Sequence, residues 1–246
     1  MGDFLVEWKN MKEIKGFEEK ILVSITGTKD RHWQNKIKEI DKLNIEKVAL
    51  FLECFNQHQI QEIYKALLSS KIKEIPLVHI KNRTKKEELN FLSKKFNSSY
   101  FTIHESGFYF LKDWRGYHKN LYLEMDANNF IFQSVEVNKI GGFCVDLSHF
   151  KVQLNKWSSE FEYILKRRHT AHFFNCNHLN GYSAKDNYDL HTIRSLKDFD
   201  YLKSLPKFLF GDIIALEVEN SISEQLEFKK YLSEFLGNFL KDEIEN

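Results

Sequence analysis

The chain has 246 residues, with 36 Lys and Arg against 35 Asp and Glu, a formal net charge of +1 at pH 7. That balance excludes a global attraction to nucleic acid or anionic membrane, while leaving local patches open. A 42% apolar share with 22 Phe excludes a disordered chain, and no apolar run approaches the ~20 residues of a membrane span.

The charged start, Met1 to Lys20, lacks the apolar centre of a signal peptide, so a cytoplasmic location is expected. Short β-rich apolar runs then alternate with stretches whose apolar residues recur every three or four positions, the pattern of repeated βα units. The first predicted strand is Lys20 to Thr26. The segment after it, Thr26-Gly27-Thr28-Lys29, resembles neither a dinucleotide loop nor a P-loop, so no nucleotide cofactor is implied. A helix over Trp33 to Leu43 leads to strand two, Lys47 to Phe55; Asn56 then suits the start of a helix over Gln59 to Leu68. Strand three is Ile75 to Lys81, followed by a helix over Lys85 to Phe96. Strands four, five and six are Tyr100 to Glu105, Asn120 to Met125 and Gly141 to Leu147, with a helix expected between the last two. A helix over Trp157 to Arg167 ends in the basic run Lys166-Arg167-Arg168, favourable at the negative end of a helix dipole. Strands seven and eight are Thr170 to Asn177 and Asp212 to Val218. Ser221 or Ser223 then starts the last helix, Ile222 to Leu240.

No Pro- or Ser-rich linker divides the chain, so residues 1–246 read as one domain. Eight βα units at this length fit an α/β fold of one kind, a single (β/α)8 TIM barrel, better than an open doubly wound sheet. Cys54, Cys144 and Cys176 have no C-x-x-C spacing, which predicts buried, reduced thiols and neither a disulfide framework nor a thiolate zinc site.

In such a barrel, chemistry belongs at the carboxyl ends of the strands. There the sequence delivers His79, His104, Glu124, Asp146, His178 and Glu217 from strands three to eight. Asp146-Leu147-Ser148-His149 adds a second imidazole after strand six, and Asp189-Leu190-His191 follows strand seven. Each residue alone suits a bland role, a hydrogen-bonded barrel His or a capping acid. Together, imidazoles and inward carboxylates are costly to bury without a cation, and this donor set suits Zn²⁺, Mn²⁺ or Fe²⁺. His172 reads as a core residue; His32, His58, His118 and His169 read as solvated.

The ordered set Tyr122-Leu123-Glu124, Cys144-Val145-Asp146-Leu147-Ser148-His149, His178-Leu179-Asn180, Asp189-Leu190-His191 and Ala215-Leu216-Glu217 resembles the xylose isomerase-like barrel superfamily over nearly the whole chain. Two branches of that resemblance imply different chemistry. The sugar isomerase and epimerase branch implies one metal on Glu124, Asp146, His178 and Glu217, with the two glutamates moving protons and His149 touching substrate oxygens. The endonuclease IV branch (AP endonuclease family 2) implies three zinc ions: one on His79, His104 and Glu124, a second on Glu124, Asp146, His178 and Glu217, and a third on His149, Asp189 and His191. It implies hydrolysis of a phosphoester. All nine positions are filled suitably, which favours the hydrolase, with the isomerase as the alternative and a catalytically silent binding barrel as the lesser one. The compact connections and balanced charge favour a small phosphorylated or polyhydroxylated substrate over damaged DNA, with no membrane partner. Where the isomerase branch often carries a glycine-rich segment, this chain has Ile193-Arg194-Ser195-Leu196, and Arg194 is a candidate substrate contact for a phosphate or carboxylate.

Overall fold

A computed structural model describes residues 16–27 and 32–241 of the chain. Residues 1–15 of the charged start, and Thr28 and Lys29 of the first loop, lie outside the described residues. The strands are β1 (Ile21–Leu22 and Ser24–Ile25, two pieces around Val23), β2 (Ala49–Phe51), β3 (Leu77–His79), β4 (Tyr100–His104), β5 (Leu121–Glu124), β6 (Gly142–Asp146), β7 (Phe174–Leu179) and β8 (Ile213–Leu216). Each pairs in parallel with the next. The first piece of β1 pairs with β8 at Ile21↔Ile214, and its second piece pairs with β2 at Ser24↔Ala49, so the sheet closes on itself as a TIM-like barrel. At the changeover the buried Gln225 amide accepts from Ser24 N at 2.7 Å and donates to Ser24 O at 3.3 Å, satisfying backbone groups that the interrupted ladder leaves over.

The helices are α1 (His32–Leu43), α2 (Gln57–Ser69), α3 (Lys86–Phe96), α4 (Leu147–Lys156), α5 (Ser159–Leu165) and α6 (Ile222–Lys241). Asn56 caps α2 in a reciprocal capping box with Gln59, and Ser221 exchanges hydrogen bonds with Glu224 at the start of α6. Among the described residues no helix is long and apolar enough to cross a membrane.

Period-two alternation divides the strand residues between two cores. One set, including Ile21, Leu50, Val78, Phe101, Ile103, Leu123, Val145 and Ile214, packs outward under the helices. The other, Leu22, Ala49, Phe51, Leu77, Tyr122, Cys144, Cys176 and Ala215, fills the barrel interior. The next inward residue up each strand from this plug is therefore at the mouth.

Several expectations need correction. The crossover from β5 to β6 has no α-helix but a short 3₁₀ turn, Val137–Lys139, because Ala127 and Asn129 take left-handed backbone (φ 56° and 62°) that breaks a helix. The crossovers after β4 and β7 likewise carry 3₁₀ turns, and the latter a hairpin (Gly181–Ser183 with Tyr188–Leu190). The predicted helix over Trp157 to Arg167 is shorter, with α5 running only from Ser159 to Leu165: Trp157 is the left-handed C-cap (φ 52°) of α4, a helix the sequence reading did not give, and Ser158 accepts from Phe161 N to start α5. His172 is exposed in a 3₁₀ turn before β7, not core, because that strand begins only at Phe174. Cys54 is exposed rather than buried; it follows β2 outside the inward parity, whereas Cys144 and Cys176 lie in the barrel plug.

Candidate metal centre

The donors sit where strand parity puts them: His79, Glu124, Asp146, His178 and Glu217 each follow by two positions the plug residues Leu77, Tyr122, Cys144, Cys176 and Ala215. Register levels them, since His104 pairs with Glu124 across β4 and β5, and Asp146 with His178 across β6 and β7. Phe51 forms the floor, its ring centroid 4.8 Å from that of His178 and 6.1 Å from that of His79. The hairpin after β7 brings in Asp189, and Glu219 N donates to His191 O at 2.6 Å, tying the hairpin's end to the chain beyond β8.

Three groups of donor atoms result, each with its atoms within 4.8 Å of one another: His79, His104 and Glu124; Glu124, Asp146, His178 and Glu217; and His149, Asp189 and His191. Glu124 belongs to two of them. All nine sequence-predicted donors are thus brought together at the mouth. Arg194 is not among them: its side chain is exposed, and it lines a surface cavity shared with Asp189 and His191.

The contacts between these atoms are close without being hydrogen bonds. His178 Nδ1 lies 3.0 Å from Glu124 Oε2 and 3.3 Å from Glu217 Oε2, and His79 Nδ1 lies 3.3 Å from Glu124 Oε2. Yet Glu124 Oε2, Glu217 Oε2, Asp146 Oδ2, His149 Nδ1 and both ring nitrogens of His79 and His178 are buried without a hydrogen-bond partner. Unpartnered buried polar atoms are rare and costly. Donors about 2.0–2.2 Å from a shared cation lie about 3–3.5 Å from one another, so the donor set fits divalent ions in both chemistry and spacing.

Asp146 shows how local structure builds the centre. Its Oδ1 accepts from Ser148 Oγ and from His149 N, both at 2.8 Å, capping α4. The cap leaves Oδ2 free toward the cluster, and the first helical turn carries His149 to the same side, with Nδ1 3.7 Å from Oδ2. The Asp-x-x-His spacing is therefore one turn of a helix start.

Electrostatics follow from this crowding. Burial opposes protonation of His104, but Asp126, Glu124 and Glu53 outweigh it and raise its pKa to about 9. His149 is raised to about 10, with burial opposing and Asp146, Asp189 and Glu124 prevailing; His191 is raised to about 9, again against burial, by Asp189, Glu217 and Asp146. Burial resists ionisation of Glu124, yet His178 and His79 hold its carboxyl well below the usual range. Glu217 goes the other way, raised chiefly by burial.

Two carboxylates beside the centre escaped the sequence reading. Glu53 Oε2 lies 2.9 Å from His79 Nδ1 and is buried without a hydrogen bond. The signal was available, because Ala49, Phe51 and Glu53 share inward parity; the strand run extending to Phe55 concealed its end. Asp126 Oδ1 lies 3.0 Å from His104 Nδ1. Its loop is fixed by two buried acids: Glu105 accepts from Phe132 N at 3.0 Å, and Glu160 accepts from Asn128 N at 2.7 Å. Asn180, two residues past His178, is also fully buried with both amide atoms unpartnered.

No family model matches the sequence, and no curated protein matches it.

Proposed function

We propose that the chain is a metal-dependent hydrolase of small phosphoesters, with an endonuclease IV-like multinuclear centre in a xylose isomerase-like barrel. The observation that supports this reading is the grouping of all nine donors into three sets, two of them joined through Glu124. A one-metal isomerase centre leaves His79, His104 and His191 without ligand roles.

Divalent ions bound in such a centre, zinc foremost and manganese or iron as alternatives, lower the pKa of water and neutralise charge developing on a phosphoester. The chain's own residues hold and orient. His79, His104 and Glu124 would hold one ion, Glu124, Asp146, His178 and Glu217 a second, and His149, Asp189 and His191 a third. Asp126 Oδ1, 3.0 Å from His104 Nδ1, would serve as the outer carboxylate that metal-bound imidazoles ordinarily have. Glu217, 12% exposed and 3.3 Å from His178, would take a proton from an attacking water, with Glu124 and His149 beside it. Arg194 stands at the rim beside Asp189 and His191 for the substrate's anionic part.

The dividing experiment is His104→Ala, read by elemental analysis of protein purified without chelator and by phosphoesterase assay. The expected result is loss of one ion and collapse of hydrolysis. A single ion in both wild type and variant, with sugar isomerisation detected, refutes the hydrolase reading.

A further inference from the structure

Between the loops that follow β2 and β3, a cavity of about 390 Å³ opens beside the donor cluster. Its lining includes Glu53 and His104 of the cluster region together with Gln57, Asn82 and Arg83. Lys81 also borders it, but its ammonium is committed: it donates to Glu53 O at 2.9 Å and Phe55 O at 2.7 Å, fixing the segment that carries Glu53.

Arg83 is different. It stands in a tight turn closed by Thr84 N donating to Lys81 O at 2.9 Å and Lys81 N donating to Thr84 Oγ1 at 3.1 Å. The buried Trp114 indole anchors the same turn by donating to Thr84 O at 2.8 Å. The backbone under Arg83 is thus held firmly, while its guanidinium is exposed and, among the described residues, has no carboxylate partner. A guanidinium presents five donors in a planar fork suited to an oxyanion. The same cavity is lined by the Glu53 carboxylate, the Gln57 amide and the Asn82 side chain, whose Nδ2 donates to Ser106 Oγ and leaves its carbonyl oxygen to accept. These are partners for hydroxyl groups. The volume lies in the range of small-ligand pockets.

We propose that this cavity is a second-anion subsite: Arg83 binds a phosphate or carboxylate at the far end of a small, hydroxyl-bearing phosphoester whose ester group lies on the donor cluster. The inference rests on the phosphoester reading for what occupies the cluster, but not for the anion at Arg83.

The test is binding to zinc-loaded protein, by calorimetry, of two ligand pairs that differ in one anion. The carboxylate arm compares 3-phosphoglycerate with glycerol 3-phosphate, and the phosphate arm compares fructose 1,6-bisphosphate with fructose 6-phosphate. One charge-assisted contact predicts that the doubly anionic member of at least one pair binds roughly tenfold tighter. Arg83→Ala should erase that preference and Arg83→Lys should retain part of it. The arm with the Arg83-dependent preference identifies the anion. Equal affinity within both wild-type pairs, or a preference that survives Arg83→Ala, overturns the subsite. Wild-type hydrolysis of p-nitrophenyl phosphate is read separately: its absence alongside an Arg83-dependent preference sinks the proposed reaction and leaves the subsite standing.

Discussion

Glu124 is the one donor shared by two of the three groups, so its replacement separates a linked cluster from independent sites. Glu124→Gln keeps the side chain's volume at a position 3% exposed and removes the charge 3.0 Å from His178 and 3.3 Å from His79. Each ion held at 100 times its Kd stabilises the fold by about 2.7 kcal/mol. For a chain of this size about 1 kcal/mol moves Tm by about 2–4 °C. Losing two ions therefore removes about 5 kcal/mol, or about 10–20 °C of the metal-induced rise in Tm. His191→Ala touches one group only and should remove about half as much. The assay is elemental analysis together with thermal unfolding, with and without added zinc. If Glu124→Gln keeps the wild-type metal content and the wild-type zinc shift, the shared-donor account is wrong.

Metal binding should depend on pH with a definite sign. His104 and His191 have pKa values raised to about 9 and His149 to about 10, so at pH 7 the metal-free protein holds protons that an ion must displace. Apparent zinc affinity should rise from pH 7 toward pH 9, with proton release measurable by calorimetry in buffers of different ionisation enthalpy; a flat profile contradicts it. Stability carries the same linkage, because groups with raised folded pKa contribute fully below their unfolded value near 6.5 and lose that contribution as pH rises through about 9–10. The denaturation midpoint of the metal-free protein should therefore fall between pH 7 and pH 10, and an unchanged midpoint refutes the point. Phe51→Ala opens space beneath His178 and His79 and should cost about 3–5 kcal/mol with weakened metal retention; equilibrium unfolding and metal content check both, and full retention of either is the contrary result. Undamaged duplex DNA should bind weakly at physiological salt, and tight binding that falls steeply as salt rises speaks against a small substrate.

Alternation and spacing carried much of the site in the sequence. Leu77 and His79, Tyr122 and Glu124, Cys144 and Asp146, Cys176 and His178, and Ala215 and Glu217 are each two apart, so once the strands are recognised their parity sends one member into the plug and the next to the mouth. The caps at Asn56 and Ser221 were legible for the same reason, being decided by residues three apart. The sequence reading placed no helix over Leu147–Lys156 and began one at Trp157, since the left-handed turn there is a backbone choice that helical periodicity does not register. Nor did it show that Asp146 both caps a helix and offers an oxygen to the cluster.

What tertiary structure decided is everything that depends on closing the barrel. Register sets His104 level with Glu124 and Asp146 level with His178, a relation between strands that no local pattern encodes. Parallel pairing of β2 with β3 sets Phe51 level with His79, and only then does Glu53, 26 positions before His79 in the sequence, arrive 2.9 Å from it. Local chemistry chose which residues face inward. Long-range pairing chose which of them meet, because the distance between strand ends is fixed by hydrogen-bond register and barrel closure rather than by separation along the chain.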